Sequence, residues 1–217
     1  MAKQPQEPQP RPSPRLYLVA PPVEHPTELR GDLDGVLGLA DIAAVLLRLP
    51  QAGERTLIDY AKVIAPVVQD KGVALILDSH PDIVAQAGAD GAHLTGIEAF
   101  IAALDNLKPQ RIAGAGGLRS RHDAMIAAER GADYVMFGEA NGGRPQFAAI
   151  LERVVWWAEL FELPCVGYAE SLDEIAPLVS AGADFVALGA FALSDPSGAS
   201  AIIQAAAELL SAAEPMK

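Results

Sequence analysis

Residues 130–139 read RGADYVMFGE, a helix end, a joint and a buried strand in one short run. Gly131 follows a helical stretch and ends it by taking the left-handed conformation that other residues resist. Asp133 then stands at the foot of the next strand, where its carboxylate can accept backbone hydrogen bonds in the αβ loop. Tyr134–Phe137 is short and continuously apolar, the pattern of a parallel strand covered on both faces. The same joint recurs as Gly88-Ala89-Asp90 and Gly182-Ala183-Asp184, each time between a helical stretch and an apolar run.

Working outward from these joints, apolar runs at Leu16–Ala20, Ile42–Leu47, Val73–Leu77, Gly91–Leu94, Arg111–Ala115, Tyr134–Phe137, Cys165–Tyr168 and Phe185–Leu188 read as strands. Helical stretches separate them, roughly Glu28–Leu39, Gly53–Gln69, Pro81–Ala87, Ile97–Leu104, Ser120–Arg130, Pro145–Phe161 and Leu172–Ser180, with Ala199–Ala213 after the last strand. Strict alternation of this kind predicts a single α/β domain, a closed (β/α)8 TIM barrel. An open doubly wound sheet would rarely use so many units without an edge-strand signature. The three joint aspartates then fall at the N-terminal face of the barrel, which reads as structural rather than catalytic.

The totals agree. A chain of 217 residues with 51% hydrophobic and 20% charged residues suits one domain with a packed core. Residues 1–14 (MAKQPQEPQPRPSP) form a Pro/Gln-rich tail without apolar periodicity, expected to be disordered, and the barrel is expected over 15–217. A net charge of −12 argues against nucleic acid or an anionic membrane as partner. No apolar run is long enough to span a bilayer, and no secretory h-region stands at the start. The lone Cys165 excludes an internal disulfide and any multi-cysteine metal site, so a reducing, cytoplasmic location is expected. Trp156 and Trp157 cannot both face one side of a helix; one should pack on the barrel and the other could mark a subunit contact, as in a homodimer.

Chemistry in such a barrel belongs at the C-terminal strand ends. Those ends offer Arg48, Asp78-Ser79-His80, His93, Glu98 just beyond, Gly114-Ala115-Gly116-Gly117 with Arg119, Gly138-Glu139-Ala140-Asn141, and Ala169-Glu170. The glycines with Arg119 at a helix N-terminus could present backbone N–H groups to an anion, and Gly142-Gly143-Arg144 could do so one loop on. Glycine clusters also simply make tight turns. Ser120 with Asp123 reads as a helix cap and supporting acid. His93 could orient a ligand or a carboxylate, or be a satisfied structural histidine; His80 beside Asp78 is a second acid–base candidate.

Several stretches resemble the thiamine phosphate synthase and thiazole tautomerase family. LYLVAPP (Leu16–Pro22) is similar to that family's LYLVTD opening. ILDSHPDIVAQAGADGAHLTGIE (Ile76–Glu98) is similar to its INDRxDxAxxxGADGVHLGQxD block, and RIAGAGGLRSRHDAMIAAERGADYVMFGE (Arg111–Glu139) to its IxGxSxH…GADYV segment. Ser180–Ala192 resembles the last strand. The matches run in order from residue 15 to about 193.

The resemblance implies a Mg²⁺-dependent coupling of a pyrimidine pyrophosphate with a thiazole phosphate, hence a small phosphorylated ligand. It implies Arg48 on the pyrophosphate, Asp78 and Glu98 on the metal, and His93 shaping the pocket. Read from the residues themselves and apart from the resemblance, His80, Gly114, Gly116, Gly117, Arg119, Gly138 and Asn141 are the further candidates for ligand binding. The departures are specific. Only Arg48 remains of the family's QLRxK strand end, and Ser79 stands where a metal aspartate is expected. Gly116 replaces a serine, Asn141-Gly142-Gly143-Arg144 replaces TxTK, and Ala169-Glu170 replaces tandem glycines. The tautomerase histidine falls at Leu118. A divergent member that binds or converts another small ligand at the same mouth is the alternative.

Overall fold

The computed structural model describes residues 12–139, 146–194 and 196–213. Eight parallel strands close in sequence order into one barrel: β1 (Arg15–Val19), β2 (Ile42–Leu47), β3 (Ala74–Asp78), β4 (Gly91–Thr95), β5 (Ile112–Gly116), β6 (Tyr134–Phe137), β7 (Cys165–Ala169) and β8 (Phe185–Leu188). Helices α1 (Pro26–Val36), α2 (Glu54–Gln69), α3 (Val84–Ala87), α4 (Ile97–Leu107), α5 (Arg121–Glu129), α6 (Phe147–Leu160), α7 (Ile175–Ser180) and α8 (Pro196–Ala212) follow the strands in turn. The expected architecture stands, and three strands have their expected bounds; the others shift by a residue. The third and seventh helical stretches keep their expected bounds but are not α-helical throughout. Each opens as a single 3₁₀ turn, Pro81–Ile83 and Leu172–Glu174, before a brief α-helix. The first strand begins at Arg15; the tail lies almost wholly outside the described residues.

Two apolar cores hold the fold. One lies between the strands' outer faces and the helices; the other, with Tyr17, Val19, Leu46, Ile76, Tyr134, Met136, Val166 and Tyr168, fills the barrel. Alternation along each strand sorts side chains between them. Trp157 is fully buried in the outer core, its indole N–H donating to the Leu163 carbonyl at 2.8 Å. Trp156 is half-buried, edge-on to Phe161 and covered by the Arg121 guanidinium at 4.9 Å. Cys165 is buried in β7.

The three Gly-Ala-Asp joints do what their residue types imply. Gly88, Gly131 and Gly182 have φ of 72°, 95° and 93°. Asp90, Asp133 and Asp184 each accept a hydrogen bond from the strand one earlier in the chain: Leu75 N–H at 2.7 Å, Ala113 N–H at 2.7 Å and Cys165 N–H at 2.8 Å. Their own N–H groups donate back to the carbonyls of the same residues. Each joint thus clamps the foot of two adjacent strands, far from the mouth.

Candidate active site

At the opposite end, the strand termini surround a small cavity of about 30 Å³ lined by Val19, Leu46, Arg48, Asp78, His93, Met136, Glu139 and Tyr168. Arg48 follows β2 and stands 3.6 Å from the Asp78 carboxylate at the end of β3, Nε to Oδ2. Ser79, held at φ 61°, turns its hydroxyl back to donate to Asp78 Oδ1 at 3.0 Å. A positive φ outside glycine is uncommon, and here it places a donor on the carboxylate.

His93 is buried, 1% exposed. Its Nε2 donates to Glu139 Oε2 at 2.8 Å. Its Nδ1 lies 3.1 Å from the Tyr134 hydroxyl, which lies 2.9 Å from the Tyr17 hydroxyl. A hydrogen-bonded file therefore runs from the mouth to the middle of the barrel. Burial alone pushes the imidazole pKa down; the Glu139 charge, its hydrogen bond and the Asp78 charge outweigh it, leaving His93 above its ordinary value. Burial, with negative charge nearby, raises both tyrosines, so they serve as neutral hydroxyls. Both His93 nitrogens are thus committed within the protein. Expected as a catalytic residue, it lines the cavity but is placed to hold Glu139.

Glu139 is 7% exposed, and its Oε1 is buried without a hydrogen-bond partner among the described residues. Room for it comes from β5. A Cβ on Gly114 would lie 2.1 Å from the Tyr134 ring, and one on Gly116 would lie 2.2 Å from Glu139 Oε1. These inward glycines, expected as an anion cradle, are slots filled by side chains of the next strand. Gly117 (φ 59°) passes so close to β4 that a Cβ would meet Thr95 Cγ2 at 2.5 Å. Gly138 (φ 103°) lies against Ile150, where a Cβ would come within 2.6 Å.

The helix start after β5, expected to grip an anion, is occupied by the chain's own acid. Asp123 Oδ2 accepts from the N–H groups of Arg119 and Ser120, both at 3.0 Å, and Ser120 Oγ caps Asp123 N–H at 3.1 Å. This is the expected capping box. After β7, Glu174 Oε2 accepts from Glu170 N–H at 2.8 Å. Arg119 and Glu98 are exposed, and neither lines the cavity. His80 is half-buried and also outside the lining. Asn141, with Gly142-Gly143-Arg144, lies outside the described residues. The expected metal pair is not brought together in one cavity: Asp78 faces the mouth, and Glu98 lies beside its own helix start, Oε2 at 4.0 Å from a Cβ built on Gly96. Among the described residues no cluster of three acidic, histidine or cysteine side chains could hold a metal ion.

Tyr17 and Tyr134 are not singled out by the sequence, and Glu139 enters there only as part of the Gly138–Asn141 strand end. The signal was alternation: in β6 Tyr134 shares the inward face with Met136, and β5 opposes it with glycine. A polar mouth built on strand ends over a packed barrel is the arrangement of α/β-barrel enzymes. The chain belongs to the thiamine monophosphate synthase family, whose family model matches residues 16–192. It is 37% identical over 194 residues to a thiamine-phosphate synthase of Rhodospirillum centenum, covering 87% of this chain and 94% of that one. It is 34% identical over 209 residues to one of Hyphomonas neptunium, covering 91% and 94%. The fold matches thiamine phosphate pyrophosphorylase from Pyrococcus furiosus with a TM-score of 0.74 at 17% identity, over 91% of this chain and 95% of that one. No helix among the described residues is long and apolar enough to cross a membrane.

Proposed function

We propose that the chain catalyses, at the mouth between Arg48 and Glu139, the reaction for which its relatives are named. The methylene carbon of a pyrimidine diphosphate ester loses pyrophosphate, which keeps the bonding electron pair. The ring nitrogen of a thiazole phosphate supplies the pair for the new C–N bond. The observation that carries this reading is sequence likeness over nearly the whole length of relatives so named. Arg48 is the cavity's arginine and would neutralise charge developing on the departing pyrophosphate. Asp78 orients Arg48, and His93 positions Glu139 on the opposite wall.

Mg²⁺ belongs to the proposed assay, but the described residues do not build a site for it, and no step is assigned to it. Magnesium usually arrives on substrate phosphates with one or two carboxylates. We place the reaction in the cytoplasm, a compartment suited to a free buried thiol. The test is direct: pyrimidine diphosphate, thiazole phosphate and protein, with Mg²⁺ or with chelator, assayed for thiamine phosphate and pyrophosphate in equal amounts. Absence of product above a protein-free control overturns the reading.

A second reading is favoured by Asp123 and Glu174. They accept backbone N–H groups after β5 and after β7, which are then not offered to a phosphate. A family member that converts a less highly charged ligand at the same mouth accounts for that.

A further inference from the structure

The barrel is hollow at its foot. Bulky branched side chains ordinarily fill such an interior in layers; here the inward positions low on β2 and β3 are Ala44 and Ala74. They leave a cavity of about 290 Å³ at the N-terminal face, against about 30 Å³ at the mouth. Tyr17, Tyr134 and Phe185 supply its aromatic walls, with Ile112 on β5, across the axis from β1. Ala74, Ile112 and Phe185 are only half-buried. The polar groups around the hollow are already engaged. The tyrosine hydroxyls bond one another and, through Tyr134, His93. At the rim Arg15 is held by Asp41 and the Ile42 carbonyl, and Asp133 by Lys108 and the Ala113 N–H. An occupant must therefore be apolar and bring no unpaired N–H.

We propose that the proline-rich segment ahead of β1 covers this hollow, laying prolines of residues 8–14 against its aromatic walls. β1 begins at Arg15, which itself lines the cavity, and the half-buried Pro14 leads into it. From Pro8 to Pro14 the sequence PQPRPSP places proline at every second position. Proline has no N–H to orphan in an apolar hollow. Each intervening residue precedes a proline and is held to extended backbone, so little freedom is lost on docking. Aromatic-lined grooves recognise proline-rich segments by the same physics. The length suffices. Pro8–Pro14 as polyproline II spans about 20 Å. Strands about 4.8 Å apart and tilted by about 36° close, in a barrel of eight, at about 15 Å across. A segment too polar to build a core of its own is thereby supplied with one.

The test is backbone ¹⁵N relaxation of the full chain, read at the amides of Gln9 and Arg11. Docked, they take order parameters close to the barrel's, about 0.85. Values below about 0.6 in the wild type, those of a free segment, overturn the proposal. Ala74→Phe fills the hollow from within and should drop both amides below about 0.6 while the barrel amides keep their values. Should that variant not fold, Pro10→Gly with Pro12→Gly leaves the barrel's own sequence untouched and should have the same effect. Ordering that survives either change in a folded protein places the segment elsewhere and overturns the proposal. Other occupants give distinct results. Ala74 and Ile112 methyl signals that move with protein concentration, while the Gln9 and Arg11 amides stay free, assign the hollow to a second copy of the chain. Methyl signals that respond instead to added benzene, with those amides again free, leave it to small apolar molecules. Both results overturn the proposal.

Discussion

Gly116 and Glu139 are complementary: a single methyl on Gly116 would sit 2.2 Å from the carboxylate that lies over it. Strand β5 therefore decides where the acid after β6 can go, and through it how His93 is held. Gly116→Ala should expel the carboxylate from its place beside His93. Without that partner the imidazole loses the main influence that raises its pKa, so its NMR titration midpoint should fall relative to wild type. Overpacking of this kind costs about 1–3 kcal/mol. An unchanged midpoint would show that Glu139 keeps its bond to His93 despite the methyl.

The same pair makes stability depend on pH. The folded pKa of His93 is raised above 6.5, with Glu139 the chief opponent of burial. A raised folded pKa means that the native state binds the proton more tightly. The contribution is full below the unfolded value and is lost as pH rises through the folded one. Urea unfolding of wild type and Glu139→Gln should therefore differ most near about pH 6, the lower side of that window, and converge toward about pH 9. A gap that widens with rising pH would reverse the assigned sign.

The joints at the other end should behave in the opposite way. Asp184 accepts the Cys165 N–H and takes no part in the mouth. Asp184→Ala removes that acceptor and should cost about 1–3 kcal/mol. For a domain of this size that is roughly 2–4 °C of Tm per kcal/mol. The kcat of the folded fraction should be unchanged. A fall in kcat with Tm intact would place function at the face assigned to structure.

The joints were legible in sequence because glycine at a helix end and aspartate at a strand foot each have one dominant local use. The strand interiors were legible because parallel strands bury both faces. The mouth was harder. Gly114 and Gly116 look alike whether they open backbone to an anion or leave a slot for a neighbour; only their inward phase, opposite Tyr134 and Glu139, separates the two. Asp123 reads as a cap in sequence, and the N–H groups it consumes are those of Arg119 and Ser120. Glu98 and Asp78 are paired by the family pattern, yet Glu98 belongs to the first turn of α4, outside the cavity that Asp78 lines.

The measurement bearing most directly on the central claim is the rate of thiamine phosphate formation by wild type and by Arg48→Ala, both checked for an unchanged fold by circular dichroism. If the mouth between β2 and β6 is the catalytic site, wild type forms product, and removing its arginine lowers kcat/KM by about a hundredfold, the scale of losing one group that stabilises developing negative charge. Equal rates in the two proteins, or no product from the wild type, would contradict the account.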